Sequence, residues 1–236
     1  MPDNITIFSK QIALYGVFIN IGTVAGLIVF LILAYKKSKS IERVFGATVL
    51  AFALLKWGFF ASNIVRGLNY NSFGNIAEMF TVNAGGHFIG RVLLVMAAFP
   101  VLYILLFQKF KYEWKDYLDI FCFYLVIQHI FNRIACIFNG CCQGKSVSFL
   151  NNGLPARGFE VLSMIILLLV CIKLYIAKKH IFGIFGMWFA MTIFISEFMM
   201  KNLDVVYFIG IDAVQYAAII LFIISFVNQK GMHRNS

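Results

Sequence analysis

The chain has 236 residues, of which 61% are hydrophobic and only 13% are charged, and its formal net charge is +10. A soluble domain of this length cannot hide so much apolar surface from water, so the mean hydropathy of +0.87 indicates a membrane protein. The positive charge does not indicate nucleic-acid binding, because the basic residues lie between apolar runs and form no stripe on a soluble domain.

Seven apolar runs approach or exceed the ~20 residues that cross a bilayer as an α-helix. The predicted fold is therefore an all-α integral membrane protein, with one domain over residues 1–236. No cleavable signal peptide is expected, since the first run is too long and no small-residue cleavage site follows it. The predicted spans cover residues 12–35, 44–65, 86–107, 117–139, 158–177, 181–200 and 212–228.

The basic residues concentrate in alternate connections, after the first, third, fifth and seventh spans. By the positive-inside rule this side is cytoplasmic, so the N-terminus is predicted to be outside and the C-terminus inside. The two longest connections, residues 66–85 and 140–157, then lie outside. Both are rich in Gly and Asn, which favours turns and is typical of loops that cover a site.

Several ionisable residues fall within spans and near the outer half of the predicted bundle. Such residues are costly in lipid and normally face the bundle interior, where they have a function or pair with one another. His129 and Arg133 are four residues apart and share one helical face, which Cys136 continues. Pairing between helices is the simpler interpretation, but it does not require that the residues gather at one depth. The set comprises His87, Arg91, His129, Arg133, Glu160 and Glu197.

The segment NRIACIFNGCCQGK, residues 132–145, is unusually polar for this chain. The guanidinium of Arg133 has the fork geometry that suits a phosphate or carboxylate. Asn139 offers hydrogen-bond donors, and a turn at Gly140 and Gly144 lets the backbone approach a ligand. Beside lipid the expected anion is a phospholipid head group, so the segment predicts an outward-opening phospholipid site between helices.

The same segment resembles the signature of the prolipoprotein diacylglyceryl transferases, roughly G-R-I-G-N-F-I-N-G-E-x-x-G-R. Divergent, cysteine-bearing relatives with a form like G-C-F-x-x-G-C-C-Y-G resemble it more closely still. The similarity runs through the whole chain in order. Five further segments resemble family motifs and bring over Tyr15, Glu160, Glu197 and Gln215: IALYG at 12–16, GGHFIGR at 85–91, LPARGFE at 154–160, ISEF at 195–198 and DAVQYAAI at 212–219.

The resemblance implies a transferase in the bacterial cell membrane whose site faces the outer half. Such enzymes move the diacylglyceryl group of phosphatidylglycerol to a cysteine thiol of an exported protein. The expected partners are thus an anionic phospholipid, above all phosphatidylglycerol, and an acceptor protein or peptide. The resemblance and the residue chemistry together nominate Arg133, His87, Glu197 and Tyr15 as catalytic, with His129 as an alternative base. The predicted substrate-binding residues are Asn139, Gly140, Gly144, Arg91, Glu160, Arg157 and His129.

Several positions depart from the family pattern. In the signature segment, Asn132 stands where the family has Gly, Cys136 where it has its first Asn and Cys141 where it has Glu. Two further departures concern candidate catalytic positions. Gly90 stands where the family has its histidine, with His87 three residues earlier, and Ile193 stands where the family has an arginine four residues before its glutamate. If a second arginine is needed, Arg91 or Arg157 would have to supply it. The acceptor is therefore not assumed to be a lipoprotein, and a closely related phospholipid-group transfer is also compatible with the sequence.

Two other functions stay open. Cys141 and Cys142 are adjacent on the predicted outer side, where disulfides persist, and with Cys136 they would suit a membrane thiol–disulfide oxidoreductase. These cysteines would equally suit a structural cap on the loop. The loss of the family arginine favours instead a non-catalytic lipid-binding protein. No cofactor or metal is expected, because the sequence has no phosphate-binding glycine loop, no H-E-x-x-H and no paired C-x-x-C.

Overall fold

A computed structural model describes residues 4–7, 10–70, 88–140, 144, 155–200 and 208–233 of the chain. Within these ranges, six helices are long and apolar enough to cross a membrane, and a seventh carries a shorter apolar stretch, Ala213–Gln229. The prediction of an all-α membrane protein is confirmed at this level. The helices are α1 Leu14–Ser38, α2 Ile41–Tyr70, α3 Phe88–Leu106, α4 Trp114–Phe138, α5 Ala156–Ile176, α6 Phe182–Met199 and α7 Ala213–His233.

The helices follow from the solvent. No water reaches the backbone in the bilayer core, so a long apolar run satisfies its N–H and C=O groups only within its own helix. Most helix ends lie within a few residues of the prediction, and a short 3₁₀ helix, Gln108–Glu113, leads into α4.

Three boundary predictions were wrong. Residues 12 and 13 are not helical: strands β1, Asn4–Ile7, and β2, Lys10–Ala13, form an antiparallel hairpin before α1. The first five residues of the predicted outer connection 66–85 belong to α2, and the last two of 140–157 belong to α5. The helical hydrogen bonds of α2 thus continue beyond the end of its predicted span, and those of α5 begin before the start of its predicted span. Residues 71–87 lie outside the described part.

Helix α4 lies at the centre of the bundle. It packs against α1 and α5 and also contacts α3 and α6, whereas α2 packs mainly on α3 and α7 mainly on α6. In its most apolar stretch 61% of the residues are buried, against 22% for α1 and for α5. The large apolar side chains that α1 and α5 leave exposed are those expected to face lipid.

Glycines permit the closest helix contacts. A Cβ on Gly22 or Gly26 of α1 would lie 2.5 Å from Phe131 and 2.9 Å from Tyr124 of α4. A Cβ on Gly90 of α3 would lie 2.6 Å from the backbone of Ser62 in α2. Small residues at such positions let membrane helices approach closely and gain van der Waals contact.

An acidic side chain of α4 holds the start of α6. The backbone N–H groups of Ile181 and Phe182 each donate to Asp119 Oδ1 at 2.8 Å, and His180 Nδ1 lies 2.9 Å from Asp119 Oδ2. The hydrogen bond to Asp119 holds the pKa of the His180 imidazole above its usual value, and burial opposes that shift. Asp119 therefore acts as the N-terminal cap that the local sequence of α6 lacks.

Two cysteines within helices behave as small apolar residues, as cysteines deep in apolar runs usually do. Cys122 on α4 and Cys171 on α5 are both fully buried in the core as free thiols.

Candidate functional site

A fully buried carboxylate joins α4 to the first turns of α5. Glu160 Oε2 forms an ion pair with Arg133, whose Nε lies 2.5 Å away, and lies 3.2 Å from His129 Nε2. On the other side of the same carboxylate, Arg157 Nη1 donates to Glu160 Oε1. Arg157, three residues before Glu160, lies next to it on α5, and the face that His129 and Arg133 share on α4 supplies the rest. Four predicted site residues thus meet in one cluster.

The imidazole of His129 lies between Arg133 and Glu160. Arg133 Nε donates to His129 Nε2 at 3.3 Å, and Glu160 Oε2 lies 3.2 Å from the same nitrogen. The other ring nitrogen, Nδ1, is buried and without a hydrogen-bond partner among the described residues.

Two aromatic rings enclose His129. The ring of Phe88 on α3 lies 5.2 Å from the imidazole, and the ring of Phe189 on α6 lies 5.0 Å from it. The histidine is fully buried. Its position therefore suits it to hold Glu160 better than to meet a substrate.

Arg133 is oriented but not fully engaged. Its hydrogen bonds to described residues all run through Nε, and its side chain is 12% exposed. The two terminal nitrogens of its guanidinium are therefore available for a further acceptor in the described part of the site. A guanidinium held in this way can donate two parallel hydrogen bonds to a phosphate or carboxylate.

Glu197 comes into the same region from the last turn of α6. It is buried and lies within electrostatic range of Arg157, Glu160 and Arg133. One turn earlier, Ile193 is 2% exposed and belongs to the apolar core. The α6 helix thus contributes a carboxylate to the site and no cation at that position.

Tyr15 reaches the same helix from the start of α1. Its hydroxyl donates to Asn132 Oδ1 at 3.2 Å, next to Arg133 in sequence. The predicted tyrosine therefore lies beside the polar segment of α4, and it ties α1 to that segment.

The start of α7 is tied to the end of α6. Asp212 and Gln215 form a reciprocal capping box, in which Gln215 N donates to Asp212 Oδ1 at 2.8 Å and Asp212 N donates to Gln215 Oε1 at 3.0 Å. Gln215 Nε2 also donates to the carbonyl of Phe194 at 3.4 Å. The capping box and this bond to Phe194 therefore give Gln215 a structural role here.

Other predicted site residues lie apart from the Glu160 cluster. Arg91 on α3 stacks on the ring of Phe59 at 5.2 Å, and its buried Nε has no hydrogen-bond partner in the described ranges. Asn139 and Gly140 are exposed at the end of α4, where Gly140 has a φ of +64°. Gly144 forms an isolated antiparallel bridge with Met200, just after α6.

The cysteine predictions are only partly covered by the structure. Cys136 is buried on α4, 4% exposed. Cys141, Cys142 and His87 lie outside the described residues.

Sequence reasoning missed three residues that shape the site. Asn132 was noted only as a departure from the family's glycine, and Phe88 and Phe189 were part of apolar runs with no distinguishing feature. The position of Asn132 beside Arg133 was the one available signal, because an amide within a span needs a partner.

A largely apolar groove lies between α5, α6 and α7. It has a volume of about 500 Å³ and is lined by α5, α6 and α7 residues, among them Phe159, which precedes Glu160. Its polar groups satisfy one another: Trp188 Nε1 donates to Ser163 Oγ at 3.0 Å, and Ser163 and Thr192 hydroxyls lie 2.7 Å apart. The remaining lining is apolar, which suits an acyl chain.

Comparison with known protein families gives a match over nearly the whole chain. A family model described as prolipoprotein diacylglyceryl transferase matches residues 2–228. No curated protein matches the chain significantly.

Proposed function

Because the chain belongs to the prolipoprotein diacylglyceryl transferase family, we propose that it transfers the diacylglyceryl group of phosphatidylglycerol to a cysteine thiol of an exported protein. The family is one of membrane transferases that act on lipid and prolipoprotein substrates. In the proposed reaction the thiolate sulfur attacks the glyceryl carbon that bears the phosphate. A C–S bond forms, the C–O bond to phosphate breaks, and glycerol phosphate leaves with the electron pair.

The observation that carries this proposal is the state of Arg133. Glu160 fixes its guanidinium through Nε at 2.5 Å, and its terminal nitrogens remain available among the described residues. A preorganised cation aimed at the phosphate lowers the barrier, because the leaving group gains negative charge in the transition state. Arg133 is therefore assigned as the phosphate clamp.

The thiol must lose its proton, since the thiolate is the nucleophile. His129 is fully buried and its Nε2 is engaged with Glu160. We therefore assign His129 to positioning Glu160 and assign the role of base to His87. Tyr15 and Glu197 are assigned to the same centre, Tyr15 through its bond to Asn132 and Glu197 through its proximity to Arg157.

The donor lipid also needs space for its tails. The apolar groove between α5, α6 and α7 is lined in part by Phe159, the neighbour of Glu160 in sequence, and its volume can hold part of an acyl chain. We place one lipid tail in this groove and the phosphate at Arg133.

The decisive experiment uses purified full-length protein with radiolabelled phosphatidylglycerol and a peptide that contains a lipobox cysteine. Arg133→Gln is expected to lower the rate of label transfer about 10²–10³-fold, as the loss of one transition-state donor does elsewhere. Arg43→Gln is the matched control, because Arg43 pairs with Glu113 away from the cluster. Equal transfer by Arg133→Gln and Arg43→Gln would contradict the proposal.

One alternative retains a specific observation in its favour. Ile193 occupies the position of a family arginine, which suits a lipid-binding protein without activity. In that case phosphatidylglycerol would bind in an Arg133-dependent manner while the label stays in the lipid. The disulfide alternative is tested separately by titrating thiols with and without reductant, since Cys136, Cys141 and Cys142 must change state if they are redox-active.

A further inference from the structure

Arg157 is an arginine that the family resemblance does not account for. In the matching motif, H-P-x-Q-L-Y-E, its position is occupied by glutamine, and the family's second arginine falls instead at Ile193. The chain has thus lost a cation on α6 and gained one at the start of α5.

The structure brings these two changes close together. Glu197, one turn beyond Ile193, lies within electrostatic range of Arg157. Ile193 itself is buried among apolar side chains and contributes only packing. Among the described residues, the cation that acts most strongly on Glu197 therefore comes from α5.

Arg157 and Arg133 share one anchor. Arg157 Nη1 binds Glu160 Oε1 while Arg133 Nε binds Oε2 of the same carboxylate. Their side chains are similarly buried, at 8% and 12% exposed. Glu160 thus fixes two guanidiniums next to each other, one from each helix.

We propose that Arg157 has taken over the role of the missing α6 arginine and binds the lipid phosphate together with Arg133. This inference rests on the proposed function. A phosphodiester has two non-bridging oxygens, and two guanidiniums held on opposite oxygens of one carboxylate can each donate to one of them.

The competing role is a local one. Arg157 and Glu160 are three residues apart on one helix, and such pairs stabilise helices without touching a substrate. A local role predicts that the loss of Arg157 changes stability and affects Arg133 only through Glu160. A phosphate contact predicts in addition that a cation returned at residue 193, or added guanidinium ion, recovers lipid affinity and rate.

The first test compares three variants of the full-length protein in nanodiscs. Arg157→Gln, which restores the family residue, is expected to weaken phosphatidylglycerol binding at least tenfold and to slow transfer about 10²-fold. Arg157→Lys keeps the positive charge but loses the planar guanidinium that donates two parallel hydrogen bonds. Its lipid affinity and transfer rate should therefore lie between those of Arg157→Gln and wild type. Arg43→Gln is the control. The inference is overturned if Arg157→Gln binds lipid and transfers as well as Arg43→Gln.

The second test removes the arginine from α5 and returns one to the family position on α6. Ile193→Arg added to Arg157→Gln is expected to recover at least tenfold of the lost transfer, which a purely structural role of Arg157 would not allow. Because Ile193 is a core residue, this double variant is also assayed for Tm. If the double variant is unfolded, label transfer by Arg157→Ala is measured with increasing concentrations of guanidinium ion. A concentration-dependent recovery of transfer supports the inference, and the absence of recovery contradicts it.

The two tests separate the inference from the function on which it rests. Wild-type protein that moves no label contradicts the proposed transferase. In that case the affinity for phosphatidylglycerol tests the role of Arg157 by itself. A loss of affinity in both Arg133→Gln and Arg157→Gln supports a shared phosphate site, and a loss only in Arg133→Gln overturns the inference.

Discussion

At the scale of single residues, Glu160 organises the site. It is fully buried and it contacts two arginines and one histidine, two of them on another helix. A buried carboxylate is costly unless its partners neutralise it, and buried cations are costly for the same reason. The cluster is therefore stable only as a unit, and the orientation of Arg133 depends on it.

Glu160→Gln is expected to abolish transfer and to destabilise the fold. The amide keeps the size of the side chain but leaves Arg133 and Arg157 without their counter-charge, and breaking a buried pair in this way costs about 3–5 kcal/mol. The measurements are label transfer and Tm.

Glu113→Gln is the matched control for Glu160→Gln. Glu113 pairs with the partly exposed Arg43, where an ion pair contributes only about 0–1 kcal/mol. If the two variants lose equal stability, Glu160 does not have the organising role assigned to it.

At the scale of elements, helix ends and helix contacts are held by side chains from other helices. Asp119 of α4 caps α6, and the Tyr15–Asn132 bond ties α1 to α4. The close approaches described above occur at Gly22, Gly26 and Gly90, which have no side chain to separate the helices. These contacts fix how far each helix lies from its neighbour, and so where the polar residues meet.

The cap at α6 predicts a pH-dependent stability. Asp119 raises the pKa of His180, with Asp116 acting in the same direction and Lys115 against it. A raised folded-state pKa means that His180 stabilises the fold fully below its unfolded pKa, and that this contribution is lost as pH rises through the folded pKa. The Tm difference between wild type and His180→Gln should therefore be largest near pH 5 and shrink towards pH 9.

The sign of that trend is the test. A difference that stays constant over this range, or one that grows with pH, would show that the His180–Asp119 contact does not depend on the imidazolium charge.

The α2–α3 contact predicts a contrast between two glycines. Gly90→Ala places a Cβ 2.6 Å from the backbone of Ser62, so the helices must separate and Tm should fall. Gly16→Ala meets nothing within 4 Å, and alanine favours the helix by about 1 kcal/mol, so Tm should stay level or rise. Equal effects would mean that α2 and α3 are not packed as described.

At the scale of the whole molecule, the distribution of charge predicts the orientation of the helix bundle in the membrane. Basic residues flank one end of the helices, including Lys36 and Lys37 at the end of α1 and Lys173 at the end of α5. The Glu160 cluster lies near the start of α5, at the opposite end of that helix. The positive-inside rule then places the basic end in the cytoplasm and the cluster in the outer half.

Reporter fusions check this orientation. The proposed topology puts the C-terminus in the cytoplasm, so green fluorescent protein fused after residue 236 is expected to fluoresce. It puts residues 71–87 outside, so alkaline phosphatase inserted there is expected to be active. The opposite pattern would reverse the proposed topology and place the Arg133 site on the cytoplasmic side.

The sequence by itself determined the membrane class, most helix bounds to within a few residues, and the family. Length and hydropathy are enough to predict the membrane class and the helix bounds. An apolar run in lipid must form a helix, because its backbone groups have no other hydrogen-bond partners. They failed at residues 12 and 13, where the apolar pattern continues into the β2 strand. On α4, helical spacing alone already placed His129 and Arg133 on one face.

Only the tertiary structure decided which helices those faces meet. Glu160 lies 31 residues from His129 in sequence, and Tyr15 lies 117 residues from Asn132, yet each pair is in contact. A helix that is apolar all round carries no periodic signal for its neighbours, since lipid and protein offer it similar surroundings. The neighbours are selected by close contacts at small residues and by the need of each buried charge for a partner, and both depend on the packed bundle.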